Sequence, residues 1–423
     1  MEPVLTRNIR PSGEPLTLLE YEQAGGYEAL RRALGTSPEE VQRMVTEANL
    51  LGRGGAGFPT GQKWASVPMG ERARTPKYFV VNADEMEPGA MKDRLLLEGD
   101  PHQLIEGVIL SAYAIGASQA YIFLRWEYKL AARRLVSALS QAYHSNRVGR
   151  NILGSSYSLD IHLHLSGGRY MCGEAEALLG ALEGRRAVPR SKPPYPTVCG
   201  LWGKPTVVDN VETVCNIPHI VRNGPEWFRS LSLTAEGGTK VYGVSGRVKR
   251  PGLWELPMGT PMRRILDDHA GGMQDGYGFR ALLPGGGSTA FVLEEHLDTP
   301  MDFASMEAIG SRLGTGTMIV MDDRTCPVGM VRGLEEFFAR ESCGWCTPCR
   351  EGLPWVARTL EALETGDGRP EDLQTLDHHV RWLRMGHTFC ALAPGAMMPL
   401  ESALKHFRAE FEGHVADKRC PWR

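Results

Sequence analysis

The spacing of apolar residues divides the 423-residue chain into three blocks, of which the first is the longest. In residues 1–237, apolar runs at 77–82 and 120–124 predict buried strands, and residues 159–166 alternate between apolar and polar. Helical periodicity lies between these runs, at 38–50, 101–116, 127–143 and 173–182. Such alternation of strands with helices predicts an α/β layer fold around a largely parallel sheet.

The second block, residues 238–327, changes to short strands separated by turns. Four strand-like segments, KVYGVSGRV, GLWELP, FRALLP and TMIVMDD, accompany one short helix that begins at Thr260 and Pro261. We expect a small α+β domain here, in which a sheet packs against a single helix.

The third block, residues 328–423, is predicted to be helical throughout. Apolar residues recur there every three or four positions in four stretches. These are Val331, Leu334 and Phe338; Leu353, Val356, Leu360 and Leu363; Leu373, Leu376, Val380 and Leu383; and Leu400, Leu404, Phe407 and Phe411. The pattern fits a four-helix bundle, with connections at 366–368 and around Cys390.

One apolar stretch, residues 104–124, is nearly long enough to cross a bilayer. Its character changes midway, because Asp100 and Pro101 mark a helix start and Gly116 marks a helix end. We therefore expect a helix followed by a core strand rather than a membrane span.

Charge and cysteine content narrow the class of protein. A net charge of −3 and a pI of about 6.5 predict no general attraction to nucleic acid or acidic lipid. Nine cysteines without a signal-peptide pattern favour the reducing cytoplasm over a disulfide-bonded secreted fold. The length favours two or three domains, each with its own core.

Four of the cysteines form the most specific pattern in the chain. Cys343, Cys346 and Cys349 make a C-x-x-C-x-x-C run, and Cys390 lies far downstream. Such a run binds three corners of an iron–sulfur cube from one turn and leaves the fourth iron to a distant cysteine. Zinc sites usually have two separated pairs, and reduced structural thiols would not need this spacing, so the pattern predicts [4Fe–4S]. The other five cysteines, Cys172, Cys199, Cys215, Cys326 and Cys420, are interpreted as ordinary thiols.

Residues 52–61, GRGGAGFPTG, form a glycine-rich loop with a formal G-x-G-x-x-G match. The loop follows a helical segment instead of a strand, so it is not the βαβ dinucleotide fingerprint. Its glycines still leave backbone N–H groups accessible to a phosphate, and Arg53 and Lys63 add positive charge. We predict a phosphate-binding loop; the alternative is a flexible turn.

Polar side chains follow the strand at 77–82 in the segment NADEMEPG. The carboxyl edge of a parallel sheet is where α/β folds bind ligands. Asn82, Asp84 and Glu85 suit hydrogen bonds to a flavin ring edge or to ribityl hydroxyls, whereas the alternative is an acidic solvated loop.

Six motifs occur in a fixed order: GRGGAGFPTGQKW, NADEMEPG, GRYMCGEAEALL, RSKPPYP, GLWGKPTVVDNVET and ESCGWCTPCREG. In this order they resemble the flavin-containing NADH-binding subunit of respiratory complex I (NADH:quinone oxidoreductase), and the resemblance runs from about residue 20 to 412. Similar modules serve NAD-linked hydrogenases and formate dehydrogenases. The segments ESCGWCTPCREGLPW and LEEFFARE favour the bacterial complex I branch.

The resemblance implies a Rossmann-like FMN- and NADH-binding domain at 1–237, a ubiquitin-like β-grasp domain at 238–327 and a helical [4Fe–4S]-binding domain at 328–423. The implied cluster ligands are the four cysteines of the spaced pattern. The implied FMN contacts are Gly52, Arg53, Gly54, Gly55, Lys63, Asn82, Asp84, Glu85, Gly173, Glu174, Asp209, Asn210 and Thr213. The implied NADH contacts are Phe58, Glu87, Lys192 and Tyr195, of which Phe58 and Glu87 are expected to be catalytic.

The implied activity is hydride transfer from NADH to FMN, followed by transfer of single electrons to the [4Fe–4S] cluster and to partner clusters. The implied partners are a thioredoxin-like [2Fe–2S] subunit and a large multi-cluster subunit. The protein would have no membrane span of its own and would lie peripherally on the cytoplasmic side of the plasma membrane. Two alternatives stay open: a diaphorase subunit of a hydrogenase or formate dehydrogenase, and a non-catalytic scaffold.

Two positions depart from the family pattern. Where the family typically has C-G-E-E-T-A-L-L, Ala175 replaces the second carboxylate and Glu176 follows it. An acidic side chain at a ribose accepts from the 2′-hydroxyl and repels a 2′-phosphate, so we expect tolerance of NADPH if Glu176 faces away. Asp209 stands where the family commonly has asparagine, and a negative charge near the flavin would lower its reduction potential.

Overall fold

The computed structural model describes residues 3–70 and 73–422. The chain is divided into two compact units. The first contains the residues up to Met86 together with Met91–Val241 and Trp254–Gly259, and the second contains Glu87–Ala90, Tyr242–Leu253 and the residues from Thr260 onward. The three domain boundaries drawn from the sequence stay a prediction.

A four-stranded parallel sheet underlies the first unit. Its strands are Tyr78–Ala83 (β1), Gln119–Leu124 (β2), Asp160–Leu165 (β3) and Thr206–Asn210 (β4). They lie in the order β3-β2-β1-β4, and each neighbouring pair is parallel. The carboxyl ends therefore meet at one edge, where Asn82 of β1 is in register with Asn210 of β4.

Helices accompany every strand of this sheet. They are Leu18–Gln23 (α1), Glu28–Leu34 (α2), Pro38–Glu47 (α3), Thr60–Ala65 (α4), Lys92–Gly99 (α5), Pro101–Ile115 (α6), Lys129–His144 (α7), Ala175–Leu182 (α8), Pro196–Cys199 (α9), Val211–Asn223 (α10) and Pro225–Ser230 (α11). Short 3-10 turns lie at Ile152–Gly154, Tyr170–Gly173 and Leu201–Gly203. The predicted α/β fold with a parallel sheet is confirmed, and the predicted helices and strands agree to within a few residues at their ends.

Helix α6 begins and ends as its sequence predicts. The Asp100 side chain accepts a hydrogen bond from the Gln103 amide at 3.1 Å, and Pro101 is the first helical residue. Gly116 ends the helix with φ +67°, a conformation that glycine adopts without steric cost. Strand β2 follows directly. In the described part of the chain, no helix is both long and apolar enough to cross a membrane.

The second sheet consists of short strands, as predicted. They are Thr239–Ser245 (β5), Gly252–Pro257 (β6), Phe279–Leu283 (β7) and Thr317–Asp322 (β8), in the order β6-β5-β8-β7. Strand β8 pairs in parallel with β5 and antiparallel with β7. The helix predicted after Pro261 is Met262–Arg264 (α12), which continues into a π-helical turn at Ile265–His269. A 3-10 turn at Glu294–His296 and the helix Phe303–Ala308 (α13) follow.

The C-terminal region is helical, as predicted, and its last helix is divided. Its helices are Pro327–Glu341 (α14), Thr347–Thr365 (α15), Pro370–Trp382 (α16), Leu392–His406 (α17) and Arg408–Asp417 (α18). A single helix across 400–411 was the wrong prediction, because Phe407 leaves helical geometry at φ −124° and ψ 29°. Its buried ring packs edge-on against Phe291 at 5.6 Å, and this tertiary contact outweighs the helical periodicity.

Asp100 makes the stability of the first unit depend on pH. Its carboxylate also accepts from the Asn8 amide group at 2.8 Å, and burial raises its pKa to about 7. Because the folded state holds this proton more tightly than the unfolded chain, the Asp100 contribution is complete below about pH 4 and is lost as the pH rises through about 7.

Asp100→Asn keeps a helix-capping oxygen and removes the titration. We expect the stability of the variant relative to the parent to improve between about pH 5 and about pH 8, by at most about 1.4 kcal/mol per unit of pKa difference. Thermal unfolding followed by circular dichroism at both pH values measures this change. Ser37→Asn, at the exposed N-cap of α3, is the matched control. A variant-to-parent difference that is the same at both pH values would contradict the prediction.

Candidate functional site

The candidate site lies at the carboxyl edge of the first sheet, between β1 and β4. Strands β2 and β3 extend the sheet on one side of β1, whereas β4 lies on its other side. Neighbouring strands whose connections run in opposite directions leave a crevice at their carboxyl ends, and α/β sheets bind ligands in this crevice. Asn82 and Asn210 end the two strands at this point.

The glycine loop between α3 and α4 is closed upon itself. The Gly52 amide donates to the Phe58 carbonyl at 2.9 Å. Gly55 and Gly57 have φ values of +117° and +66°, a region in which a side chain would be strained. The loop therefore follows a helix, as predicted, and its curvature depends on glycine.

Arg53 anchors this loop within the first unit. Its amide donates to Thr213 Oγ1 at 2.8 Å, and its buried guanidinium donates to the carbonyl oxygens of Gly237 at 2.6 Å and Thr239 at 3.2 Å. A Cβ atom on Gly54 would lie 3.1 Å from the Asn210 Cβ, so the loop packs directly against the end of β4. The Arg53 side chain thus holds the loop in place through backbone carbonyls.

Lys63 and Asp209 form an ion pair beside the loop. Lys63 Nζ lies 2.7 Å from Asp209 Oδ1 and donates to the Val208 carbonyl at 3.0 Å. The second carboxylate oxygen of buried Asp209 accepts from Trp64 Nε1 at 2.8 Å. The negative charge that distinguishes Asp209 from asparagine is therefore balanced by Lys63, whose side chain keeps 28% of its surface exposed.

A buried charge network lies behind this edge, and the sequence reasoning missed it. Glu212 accepts from the Val241 amide at 2.8 Å, and it forms ion pairs with Lys92 at 2.9 Å and Lys240 at 3.0 Å. Burial alone would raise the pKa of Glu212, but the two ammonium groups together with Arg53 lower it to about 2. Burial lowers the pKa of Lys240 to about 8, although Glu212 opposes this shift.

The same network reaches the end of β4. Lys92 pairs with Asp93 at 2.7 Å and donates to Asn210 Oδ1 at 3.2 Å, while Asn210 Nδ2 donates to Asp93 at 2.7 Å. Asn210 also caps α10 by accepting from the Glu212 amide at 3.1 Å. The sequence signal for this network was the presence of charged residues within apolar segments, as with Lys240 in β5.

The polar residues at the end of β1 bind other parts of the first unit, and Asp84 and Glu85 are buried. Asn82 donates to the Gly173 carbonyl at 3.1 Å, and buried Asp84 accepts from Ser166 Oγ at 3.0 Å. Glu85 accepts from the amides of Asp93 and Arg94 at the start of α5 and from the Tyr128 hydroxyl, at 3.0, 3.2 and 3.0 Å. Burial, followed by the Asp93 charge, raises the pKa of Glu85 to about 7. These contacts exclude the alternative interpretation, in which the segment after β1 is an acidic loop exposed to solvent.

The start of α8 supplies the remaining predicted FMN contacts. A Cβ on Gly173 would meet no described atom within 4 Å, so open space lies beside this residue. Glu174 caps α8 by accepting from the amides of Glu176 and Ala177, and it lies 3.3 Å from Lys192 Nζ.

Glu176, the carboxylate that follows Ala175, lies 3.7 Å from Lys192 Nζ. It is buried and accepts from the Arg190 amide at 3.1 Å, and burial raises its pKa. Ala175, by contrast, is half-buried at the first position of α8.

The predicted nucleotide contacts have different surroundings. Phe58 and Tyr195 are exposed aromatic residues of the first unit, with 48% and 59% of their surface accessible. Glu87 belongs to the second unit, where its carboxylate accepts from the Ser288 amide at 2.7 Å.

The residues at this edge fit FMN. The glycine loop offers backbone N–H groups for a phosphate, the partly exposed Lys63 ammonium offers further N–H donors, and the space beside Gly173 is free of described side chains. The structure brings together the predicted residues of the glycine loop, the ends of β1 and β4 and the starts of α8 and α10. The role of each in binding stays a prediction.

The four predicted cluster cysteines converge in the second unit. Cys343 and Cys346 lie in the loop before α15, Cys349 in its first turn, and Cys390 in the loop before α17. Burial raises the pKa of Cys349 to about 12, and the nearby Cys346, Cys390 and Cys343 thiols contribute to the rise. The fold therefore brings the distant fourth cysteine to the other three, and this all-thiol set fits a [4Fe–4S] cluster.

Comparison with protein families agrees with this division of the chain. Residues 45–219 match the Nuo51 FMN-binding domain, residues 241–292 match the SLBB domain, and residues 329–414 match the NADH-ubiquinone oxidoreductase-F iron–sulfur binding region. The cofactors expected from the motifs, FMN and a [4Fe–4S] cluster, are thereby confirmed.

Similar proteins carry a consistent name. The F subunits of the NADH-quinone oxidoreductases of Salmonella typhimurium and Escherichia coli are each 53% identical over 412 residues, which cover 97% of this chain and 92% of the relative. The second F-type protein of Rhizobium meliloti is 50% identical over 423 residues, covering 100% and 99%. A solved NAD+-reducing [NiFe]-hydrogenase in the H2-reduced state has a TM-score of 0.83 at 34% identity and covers 95% of this chain and 67% of that one. The chain therefore belongs to the family of NADH-quinone oxidoreductase F subunits.

Proposed function

We propose that this protein is the electron-input subunit of an NADH:quinone oxidoreductase and acts as its NADH dehydrogenase flavoprotein. The observation that carries the proposal is that one chain combines a ligand crevice at the β1–β4 edge with four converging cysteines. FMN bound here would supply the conversion between a two-electron hydride donor and a one-electron iron–sulfur acceptor.

The residues of this chain act mainly by binding and orienting. The backbone N–H groups of the glycine loop would hold the FMN phosphate. The guanidinium of Arg53 is engaged with carbonyl oxygens, so its charge acts from within the buried network. That network sets three cations, Arg53, Lys92 and Lys240, against the carboxylates of Asp93 and Glu212, with the Glu85 carboxyl beside them, so attraction for a phosphate rests mainly on the loop amides.

Hydride transfer needs no nucleophile or general acid from the protein. It needs the nicotinamide carbon held over the flavin face in a near-attack geometry. Phe58 and Tyr195 offer exposed aromatic faces for stacking on NADH, and Lys192 supplies positive charge for its phosphates. The proposed catalytic role of Glu87 rests on the family resemblance alone.

The partners follow from the family resemblance. We assign the protein to a complex with a thioredoxin-like [2Fe–2S] subunit and a large multi-cluster subunit, peripheral on the cytoplasmic side of the membrane. The likeness to an NAD+-reducing hydrogenase makes a hydrogenase diaphorase the second candidate. The higher identity to the quinone oxidoreductase relatives, 53% against 34%, favours the first.

An anaerobic titration of the cluster-reconstituted protein tests the proposed function. We expect NADH to bleach the visible flavin band, because hydride transfer converts the oxidised flavin to its reduced form. NADPH is titrated separately. If dithionite bleached the bound flavin while neither nucleotide did, the non-catalytic scaffold would replace the proposal.

Ala175→Glu should sharpen the preference for NADH. Buried Glu176 binds the Arg190 amide and lies 3.7 Å from Lys192 Nζ, so we infer that the parent lacks a carboxylate at the position of Ala175 that would repel a 2′-phosphate. We expect the ratio of kcat/KM for NADH to that for NADPH to rise roughly tenfold in the variant. Val136→Glu adds the same charge on the exposed face of α7 and should leave the ratio unchanged. An unaltered ratio in Ala175→Glu would refute the specificity argument.

Asp209→Asn should raise the midpoint potential of the bound flavin. The substitution removes a carboxylate, leaves Lys63 without its ionic partner and retains an acceptor for Trp64. We expect an increase on the order of tens of millivolts, corresponding to about 1 kcal/mol. A spectroelectrochemical titration of parent and variant measures it. Asp160→Asn, at the start of edge strand β3, is the control, and a lower or unchanged potential in Asp209→Asn would contradict the prediction.

A further inference from the structure

Four side chains that the proposed function does not use converge in the second unit. Cys326 is the N-cap of α14, Glu364 lies in the last turn of α15, His414 lies in the last turn of α18, and Cys420 follows that helix. One potential ligand atom from each lies within 4.8 Å of all the others. We call these residues the Cys326 cluster. It shares no residue with the four iron–sulfur cysteines.

The separations among three of these atoms are close to those in a tetrahedral metal site. Cys326 Sγ lies 3.2 Å from Glu364 Oε1 and 3.4 Å from His414 Nε2, and these last two atoms are 3.1 Å apart. Tetrahedral zinc, with Zn–S near 2.3 Å and Zn–N or Zn–O near 2.0 Å, places its ligand atoms about 3.3–3.6 Å apart. The three distances therefore need to change by only a few tenths of an ångström.

The histidine is oriented as a metal ligand. His414 Nδ1 lies 2.6 Å from the Glu410 carbonyl oxygen, which only accepts, so Nδ1 carries the proton. In a neutral ring, Nε2 then presents its lone pair to Glu364 Oε1 and Cys326 Sγ. A carbonyl that fixes the tautomer in this way is the usual outer partner of metal-bound histidine. A bound cation would take the place of the thiol proton that Cys326 Sγ donates to Glu364 Oε1.

Three of the four residues of the cluster are closed to solvent, and Cys326 is half-buried. His414, Cys420 and Glu364 have 0%, 3% and 5% of their surface exposed. The segment that carries Cys420 is held in place, because Lys418 Nζ donates to the Gly368 carbonyl at 2.5 Å and Arg280 lies 4.7 Å from the centre of the Trp422 ring. Four protein ligands in a closed site are typical of structural zinc, whereas catalytic zinc keeps an open position.

We propose that Cys326, Glu364, His414 and Cys420 bind one zinc ion, which ties the C-terminal segment to the ends of α14 and α15. Two thiolates, an imidazole and a carboxylate form the borderline-soft donor set that zinc prefers. Binding releases the two thiol protons to solvent and involves no redox change. Isolated cysteines without a C-x-x-C partner gave no sequence signal, so both had been interpreted as ordinary thiols.

Zinc content and coordination of the full-length holoprotein test the proposal. After desalting with a chelator, we expect about one zinc ion per chain by mass spectrometry, in addition to the cluster iron. The zinc X-ray absorption spectrum should contain two sulfur and two nitrogen or oxygen neighbours. This spectrum needs no variant.

The double variant Cys326→Ala/Cys420→Ala should bind zinc at least ~10-fold more weakly, because loss of an outer-shell residue alone lowers the metal affinity of a site by that factor. The half-buried Cys199→Ala variant, in the first unit, should keep the parent zinc content. Unchanged flavin and iron content in every variant would establish that the fold and the iron–sulfur cluster persist. If the double variant did not fold, the absorption spectrum of the parent would decide.

Three results would overturn the proposal. The first is a parent protein that contains no zinc, in which case hydrogen bonds alone would connect the four side chains. The second is a peptide mass that shows a disulfide between Cys326 and Cys420. The third is a zinc spectrum with four sulfur neighbours, which would place the ion in the iron–sulfur site.

Discussion

The buried carboxylate of Glu212 is the interaction on which the candidate site depends. It has lost its hydration, and the ion pairs with Lys92 and Lys240 and the bond from the Val241 amide compensate for that loss. Removal of one partner from such a pair typically costs about 3–5 kcal/mol, because the other charge stays buried. Through these contacts one residue connects the starts of α5, α10 and β5 and fixes the end of β4.

The predicted FMN contacts are consequently parts of the scaffold as well. Glu85, Glu174 and Asn210 each accept from the first amides of a helix, at the starts of α5, α8 and α10 respectively. An N-cap substitution typically costs about 1 kcal/mol of stability, so these residues are constrained by folding before any ligand binds.

Most of the structural detail that the sequence predicted correctly was local. Asp100 and Pro101 begin α6 and Gly116 ends it, because capping depends on residues only a few positions apart. The contacts that it missed are distant in the chain. Arg53 donates to the carbonyl of Gly237, and Glu212 binds Lys92 from another helix, and neither pairing has a periodic signal. Phe407 interrupts a regular apolar pattern for the same reason, since its ring packs on a remote residue.

The helical region shows how one chain can keep two soft-metal sites distinct. In the iron–sulfur site three thiols come from one turn, so the spacing of the chain itself selects a polynuclear cluster. The Cys326 cluster takes one ligand from each of four separate places and mixes sulfur with nitrogen and oxygen, so the site can form only after the helices have packed. A mixed, tetrahedral donor set favours a single zinc ion over an iron–sulfur cube. The two sites share cysteine as a ligand. They differ in the spacing of their ligands along the chain and in the mixture of donor atoms, and these two differences direct each metal to its own site.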